Sequence, residues 1–204
     1  MHDTWKKTLA IFLGGQTLSL FGSMLVQYAI TWYITMTTQS GAMMTISIIC
    51  GVMPTFLISP FGGVWADRYD RKKLIIMADG AIALTTLVLA VTFLTGHGAI
   101  WTLFVAQAVR AVGAGIQTPA VGAFLPQIVP AEHLMKANAT FGSVQSVVML
   151  SAPMAAGALM SLAGIEVLFF VDVVTAALAI GLLLACLRVP PHKRATEQLT
   201  TNYL

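Results

Sequence analysis

Six long apolar segments, separated by short polar breaks, constrain this chain more than any other feature. They run from about Leu9 to Met36, Ala42 to Val64, Leu74 to Leu94, Ile100 to Leu125, Ala137 to Leu162 and Val167 to Leu187. A helix that crosses the hydrocarbon core of a bilayer needs ~20 apolar residues. A spanning β-strand needs only ~10 and alternates apolar with polar side chains. These segments are long and do not alternate, so the expected fold is an all-α membrane protein. Composition agrees: 57% of the 204 residues are hydrophobic and only 9% are charged. A soluble domain carries roughly 25% charged residues. So apolar a chain is not disordered either. The expected organisation is a cytoplasmic N-terminus over residues 1–8, a six-helix bundle over 9–187 and a cytoplasmic tail over 188–204. Lys6 and Lys7 precede a segment of spanning length without a cleavage pattern, so the first helix is expected to stay.

The positive charges orient the bundle. Ten of the eleven Lys and Arg fall on one side: Lys6 and Lys7, then Arg68, Arg71, Lys72 and Lys73, then Lys136, then Arg188, Lys193 and Arg194. The opposite loops, near 37–41, 95–99 and 163–166, carry none. Cytoplasmic loops collect Lys and Arg. A multi-pass protein of a plasma membrane, the inner membrane of a bacterium, with both termini cytoplasmic is therefore expected. The same sorting accounts for the net charge of +3 without a nucleic-acid partner. Cys50 and Cys186 lie inside apolar runs and read as small buried or lipid-facing residues. No Cys-x-x-Cys and no Cys/His cluster is present, so no metal and no cofactor is expected.

Polar residues inside a span are costly and turn towards protein or water. Segment one carries Gln16, Ser19, Ser23, Gln27 and Thr31, all on one helical face. Segment four carries Gln107, Arg110, Ala114 and Gln117 at the same kind of spacing. Two such stripes, one holding a cation, predict the wall of a hydrated cavity; interhelical bonds that merely hold the bundle are the competing reading. At ~1.5 Å per residue, Arg110 lies about 15 Å inside segment four. Asp172 and Asp79 lie at depths of roughly 8–11 Å in segments six and three, and either suits Arg110 as a partner. Arg110 reads equally as a proton- or substrate-contacting charge and as a structural ion pair; for the two acids the structural role is favoured.

Segments two and five share a pattern of breakers. Segment two has Gly51, Pro54, Pro60, Gly62 and Gly63; segment five has Gly142, Ser146, Pro153 and Gly157. Small residues allow close helix approach and proline bends a helix. Matching interruptions at corresponding positions predict an inverted repeat of three helices plus three, a transporter-like architecture. An intramembrane enzyme fits poorly. His2, His97, His133 and His192 all sit at ends or in loops, so no base stands at membrane depth beside a serine.

The turn after segment two reads Gly63-Val-Trp-Ala-Asp67-Arg68-Tyr-Asp70-Arg71-Lys72. Glycine permits a tight turn, a carboxylate among basic residues can form a switchable latch, and Asp can cap a helix N-terminus. This stretch resembles the signature loop of the major facilitator superfamily, G-x-L-A-D-R-x-G-R-[KR]. Gly63, Ala66, Asp67, Arg68, Arg71 and Lys72 match it; Trp65 and Asp70 replace its leucine and second glycine. Asp70 is similar to the branch of macrolide-efflux and siderophore-exporting relatives. Arg110-Ala-Val-Gly113-Ala-Gly115 resembles the family's helix-four motif, and Pro153 with Gly157 is similar to the core of its antiporter motif. The stretch from Pro126 to Asn138, and Phe170-Val-Asp172, resemble the same exporting branch.

The resemblance implies the N-terminal six-helix half of a major-facilitator fold. It implies proton-coupled export of amphipathic small molecules such as drugs or siderophores, by rocking of two halves, and no enzymatic activity. Gln16, Gln27, Gln107, Arg110 and Gln117 are the expected substrate or proton pathway, and Tyr28 and Trp32 are candidates for stacking on substrate or for interface anchors. Gly63, Asp67, Arg68, Asp70, Arg71 and Lys72 form the expected conformational-switch loop, Asp79 and Asp172 the intramembrane acids, Pro153 and Gly157 the helix-five bend. The resemblance implies that the signature acid latches onto a helix of the second half, so Asp67 is expected to have no obvious partner in this chain. Expected partners are a small-molecule substrate, the lipid bilayer, and a second six-helix half or a homodimer mate. A fragment of a longer protein is favoured over a homodimer, and an inactive or scaffold fragment is the alternative function.

Overall fold

The computed structural model describes residues 4–186. Expectations for the tail over 188–204, with Arg188, Lys193 and Arg194, lie outside the described residues, as do His2, Leu187 and the side chain of Cys186. Six helices follow in order: α1 Thr4–Thr38, α2 Gly41–Arg68, α3 Arg71–Leu94, α4 Ile100–Ile128, α5 Leu134–Leu162 and α6 Ile165–Cys186, with a single 3₁₀ turn Ala131–His133 before α5.

The breaks between helices have local causes. Gln39 adopts φ 51 and ends α1; Ser40 then caps α2, its hydroxyl accepting from Met43 N at 3.4 Å. At the end of α3, Gly96 sits at φ +74, where a side chain would be strained. His97 N donates to Thr92 O at 3.0 Å and Gly96 N to Phe93 O at 3.1 Å, the paired bonds of a Schellman cap. Hydroxyls within the helices mostly donate to the carbonyl one turn back, as Thr17 does to Leu13 O at 2.6 Å and Thr35 to Thr31 O at 2.7 Å. Such bonds keep a threonine satisfied where no water is available.

Five helices, α1, α2, α3, α5 and α6, are long and apolar enough to cross a membrane. Helix α4 is the exception, although its 29 residues span about 43 Å at ~1.5 Å rise each, more than a ~30 Å hydrocarbon core. Gln107, Arg110, Gln117 and Thr118 dilute its apolar character, and it buries its residues against α2 and α3.

Helix α2 packs chiefly on α4, and α5 on α1; α3 packs on α4, and α6 on α1; α3 and α6 pack on each other. Exchanging the first three helices for the last three returns the same pairs, the pattern of a three-plus-three repeat. Two apolar clusters form the core. One gathers Phe12, Ile75, Phe124, Leu125 and Leu183 towards the basic end. The other gathers Leu25, Ile30, Leu89, Leu103 and Phe169 towards the opposite end. Between them runs a buried polar layer of Gln16, Ser19, Asp79, Thr86, Gln107, Arg110 and Asp172.

Candidate functional site

Helices α1, α2 and α4, with Ile82 of α3, line an open cavity of about 430 Å³ at the level of the polar layer. Gln27, Gln107, Arg110 and Gln117 reach its wall. Gln16 does not: it is buried one turn from Phe12, and its Nε2 has no hydrogen-bond partner. Gly51 shapes the wall on the α2 side. A Cβ there would stand 2.5 Å from Gln107 Oε1 and 3.4 Å from Gln27 Nε2, so only glycine lets both amides approach α2. Gln107 Nε2 donates to Ser47 Oγ at 2.6 Å, while Gln107 Oε1 is buried without a donor.

The structure settles the partner of Arg110 that spacing left open. Its Nη1 lies 2.5 Å from Asp172 Oδ2 and also donates to Thr86 Oγ1; its Nη2 donates to Ser23 O at 3.2 Å. Asp172 is fully buried, and its two oxygens are further engaged by Thr86 Oγ1 at 2.7 Å and Ser23 Oγ at 3.4 Å. A Cβ on Gly22 would come 3.0 Å from Asp172 Oδ1, so glycine on α1 makes room for the pair. Four helices thus meet at one neutralised cation beside the cavity.

Asp79 belongs to a second cluster. Its Oδ1 accepts from Ser19 Oγ at 2.8 Å and from Gln117 Nε2 at 2.5 Å, and its Oδ2 is buried with no partner. Thr86, Ser47 and Gly22 were not among the sequence candidates. Thr86 follows Asp79 by seven residues, two turns along the same face of α3, and that spacing is the signal for it.

The signature turn is shorter than its motif. Asp67 and Arg68 belong to the last turn of α2, and only Tyr69 and Asp70 separate the helices. Gly63 lies inside α2 with open space where a Cβ would be, so it does not make the turn. Its neighbour Gly62 carries the packing instead: a Cβ there would run into Gly115 O and stand 3.0 Å from Pro119 Cγ. Asp70 caps α3, accepting from Lys73 N at 3.2 Å. Arg71 is the tie. Its Nε donates to Ala66 O at 2.9 Å and its Nη1 to Ala123 O at 2.7 Å, joining the end of α2 to α4. Asp67, 74% exposed, lies 3.6 Å from Arg71 Nη2. The expectation that Asp67 has no obvious partner in this chain is therefore corrected: Arg71 is one. Arg68 is exposed and Lys72 half-buried.

Pro153 lies inside α5, which remains continuous from Leu134–Leu162. A Cβ on Gly157 would come 2.5 Å from the ring of Trp32, so α1 and α5 touch by an indole seated on glycine. Trp32 and Tyr28 do not line the cavity; Tyr28 packs on the apolar cluster away from the basic end. Cys50 is a half-buried free thiol on α2. Among the described residues no three or more His, Cys, Asp or Glu gather as metal ligands.

The sequence pattern of the Major Facilitator Superfamily matches residues 10–201. Macrolide efflux protein A of Streptococcus pyogenes is 30% identical over 203 residues, covering 100% of this chain and 50% of that protein. The protein of the same name from Enterococcus faecalis is 30% identical over 165 residues, 80% of this chain and 51% of that protein. Enterobactin exporter EntS of Shigella dysenteriae is 27% identical over 156 residues, 76% of this chain and 37% of that protein. The chain spans about half the length of the macrolide-efflux relatives it matches. The match runs through every helix of the multi-pass bundle, and the chain belongs to the Major Facilitator Superfamily.

Proposed function

We propose that this chain is one half of a secondary transporter that exports amphipathic small molecules, drugs or siderophores among them, by proton-driven alternating access. The observation that carries the reading is the cavity at the level of the polar layer, walled by amides and a neutralised arginine in an otherwise apolar bundle. Its volume of about 430 Å³ falls within the ~300–1,000 Å³ usual for ligand pockets. Midplane sites between repeats are where transporters of this architecture hold substrate. Gln27, Gln107, Arg110 and Gln117 form the pathway. Gly63, Asp67, Arg68, Asp70, Arg71 and Lys72 form the switch, with Arg71 as its fixed tie and Asp67 as its exposed, releasable arm. The chain sits in a bacterial inner membrane with both termini cytoplasmic, the orientation its basic loops favour.

The missing wall comes from a second six-helix half or a homodimer mate. Helices α2 and α5 favour this, because they expose the broadest apolar faces, including Phe56, Phe61, Leu150 and Met154. The half-length match to the relatives also favours a second reading, a fragment without transport of its own. Expression in bacteria stripped of their own pumps separates the two. Export predicts lower drug accumulation with the chain than with empty vector, reversed by Gln107→Ala in protein that still inserts. Accumulation equal to vector, lowered only when a matching second half is co-expressed, would establish the fragment reading.

A further inference from the structure

We propose that Asp79 is the proton-binding carboxylate of this bundle, exchanging its proton with the cavity that Gln117 lines; its part in driving export rests on the transport reading above. Two acids are buried in the polar layer, and their surroundings decide which can accept a proton. Asp172 has both oxygens engaged and is ion-paired to Arg110. Protonating it would leave the guanidinium unpaired inside the bundle, a strongly unfavourable outcome. Asp79 takes both of its hydrogen bonds on Oδ1, from Ser19 and Gln117, and keeps Oδ2 bare while only 2% exposed. A proton delivered to Oδ2 turns the carboxylate into a neutral acid and breaks neither bond.

No cation near Asp79 opposes this. Helix α3 packs on α4 and α6, touches α2, and meets α1 through Ser19. The charged side chains on those helices are Arg110 on α4, Glu166 and Asp172 on α6, Asp67 and Arg68 at the end of α2, and Lys6 and Lys7 on α1. Arg110 is committed to Asp172. Glu166 stands in the first turn of α6, at the opposite end of the bundle. Lys6 and Lys7 precede Ser19 by at least three turns, and Arg71, Lys72 and Lys73 occupy the first turn of α3 itself.

Gln117 marks the side of Asp79 nearest the cavity and supplies the consequence. It lines the cavity and donates to Asp79, so one side chain separates the acid from the cavity. A hydrogen bond to a carboxylate is roughly twice as strong as one to a neutral acceptor. Loading the proton therefore loosens one of the bonds by which α4 holds α3, while the Arg110–Asp172 pair stays closed.

The test is infrared difference spectroscopy on the purified chain in lipid nanodiscs, stepping the buffer from alkaline to acid. The expected result is a protonated-carboxyl C=O band that is lost in Asp79→Asn and retained in Asp172→Asn. Gln117→Leu should keep the band and move it to higher frequency, because the carbonyl oxygen Oδ1 loses a donor. That second variant keeps the acid, so its shift is not explained by misfolding. A band unchanged by Asp79→Asn and unmoved by Gln117→Leu would overturn the proposal. Proton binding is read without substrate, so the outcome stands whether or not the chain exports anything.

Discussion

Arg110 is tolerated inside the bundle because three acceptors meet its guanidinium: Asp172, Thr86 and the Ser23 carbonyl. Removing one partner of a buried pair strands the other, at about 3–5 kcal/mol, whereas replacing both with apolar groups costs far less. Arg110→Ala is therefore expected to destabilise the chain by about 3–5 kcal/mol in unfolding experiments in detergent micelles, and Arg110→Leu with Asp172→Leu by clearly less. A double variant as unstable as the single one would contradict the pairing. Helical spacing was enough to place Gln27, Gln107, Arg110 and Gln117 on one wall, because period fixes the face of a helix. It could not choose between Asp79 and Asp172, nor exclude Gln16 from the cavity. Those outcomes depend on the depth and rotation of neighbouring helices, which no single helix's period contains.

At the scale of elements, the joint between α2 and α3 is the most constrained part of the chain. Arg71 donates to carbonyls on two different helices, a task for a planar fork and not for a point charge. Arg71→Ala is expected to cost about 1.5–3 kcal/mol per lost charged hydrogen bond, and Arg71→Lys to recover only part of it. Thermal unfolding of the three proteins in the same detergent measures this, and full recovery by lysine would contradict the two-carbonyl tie. The helices themselves were legible from the apolar runs, since each break carries its own punctuation in Gln39-Ser40, Asp70, Gly96, Pro130 and Ala163-Gly164. Their ends were not. Helix α2 runs on to Arg68 through the first part of the signature motif, because charged residues at a membrane surface continue a helix as readily as apolar ones. The small residue that matters for packing is Gly62, not the motif glycine Gly63, a distinction set by the facing Gly115 and Pro119 on α4.

At the scale of the molecule, the packing pairs repeat under exchange of the two three-helix halves, and the polar layer lies where those halves meet. Small residues at the crossings, Gly22, Gly51, Gly62 and Gly157, let the helices pack closely around the cavity. The broad apolar faces of α2 and α5 were foreshadowed by their shared Pro and Gly pattern, although that pattern does not say what covers them. The central claim is that water and ligand reach the wall between α1, α2 and α4. Cysteine accessibility tests it most directly: with Cys50→Ser and Cys186→Ser as background, Gln27→Cys, Gln107→Cys and Thr118→Cys are compared with the exposed apolar positions Leu84→Cys and Leu150→Cys. In opened membranes, a charged, water-borne thiol reagent should modify the first three and spare the other two. Modification of Leu84→Cys and Leu150→Cys with the cavity positions left untouched would contradict the account.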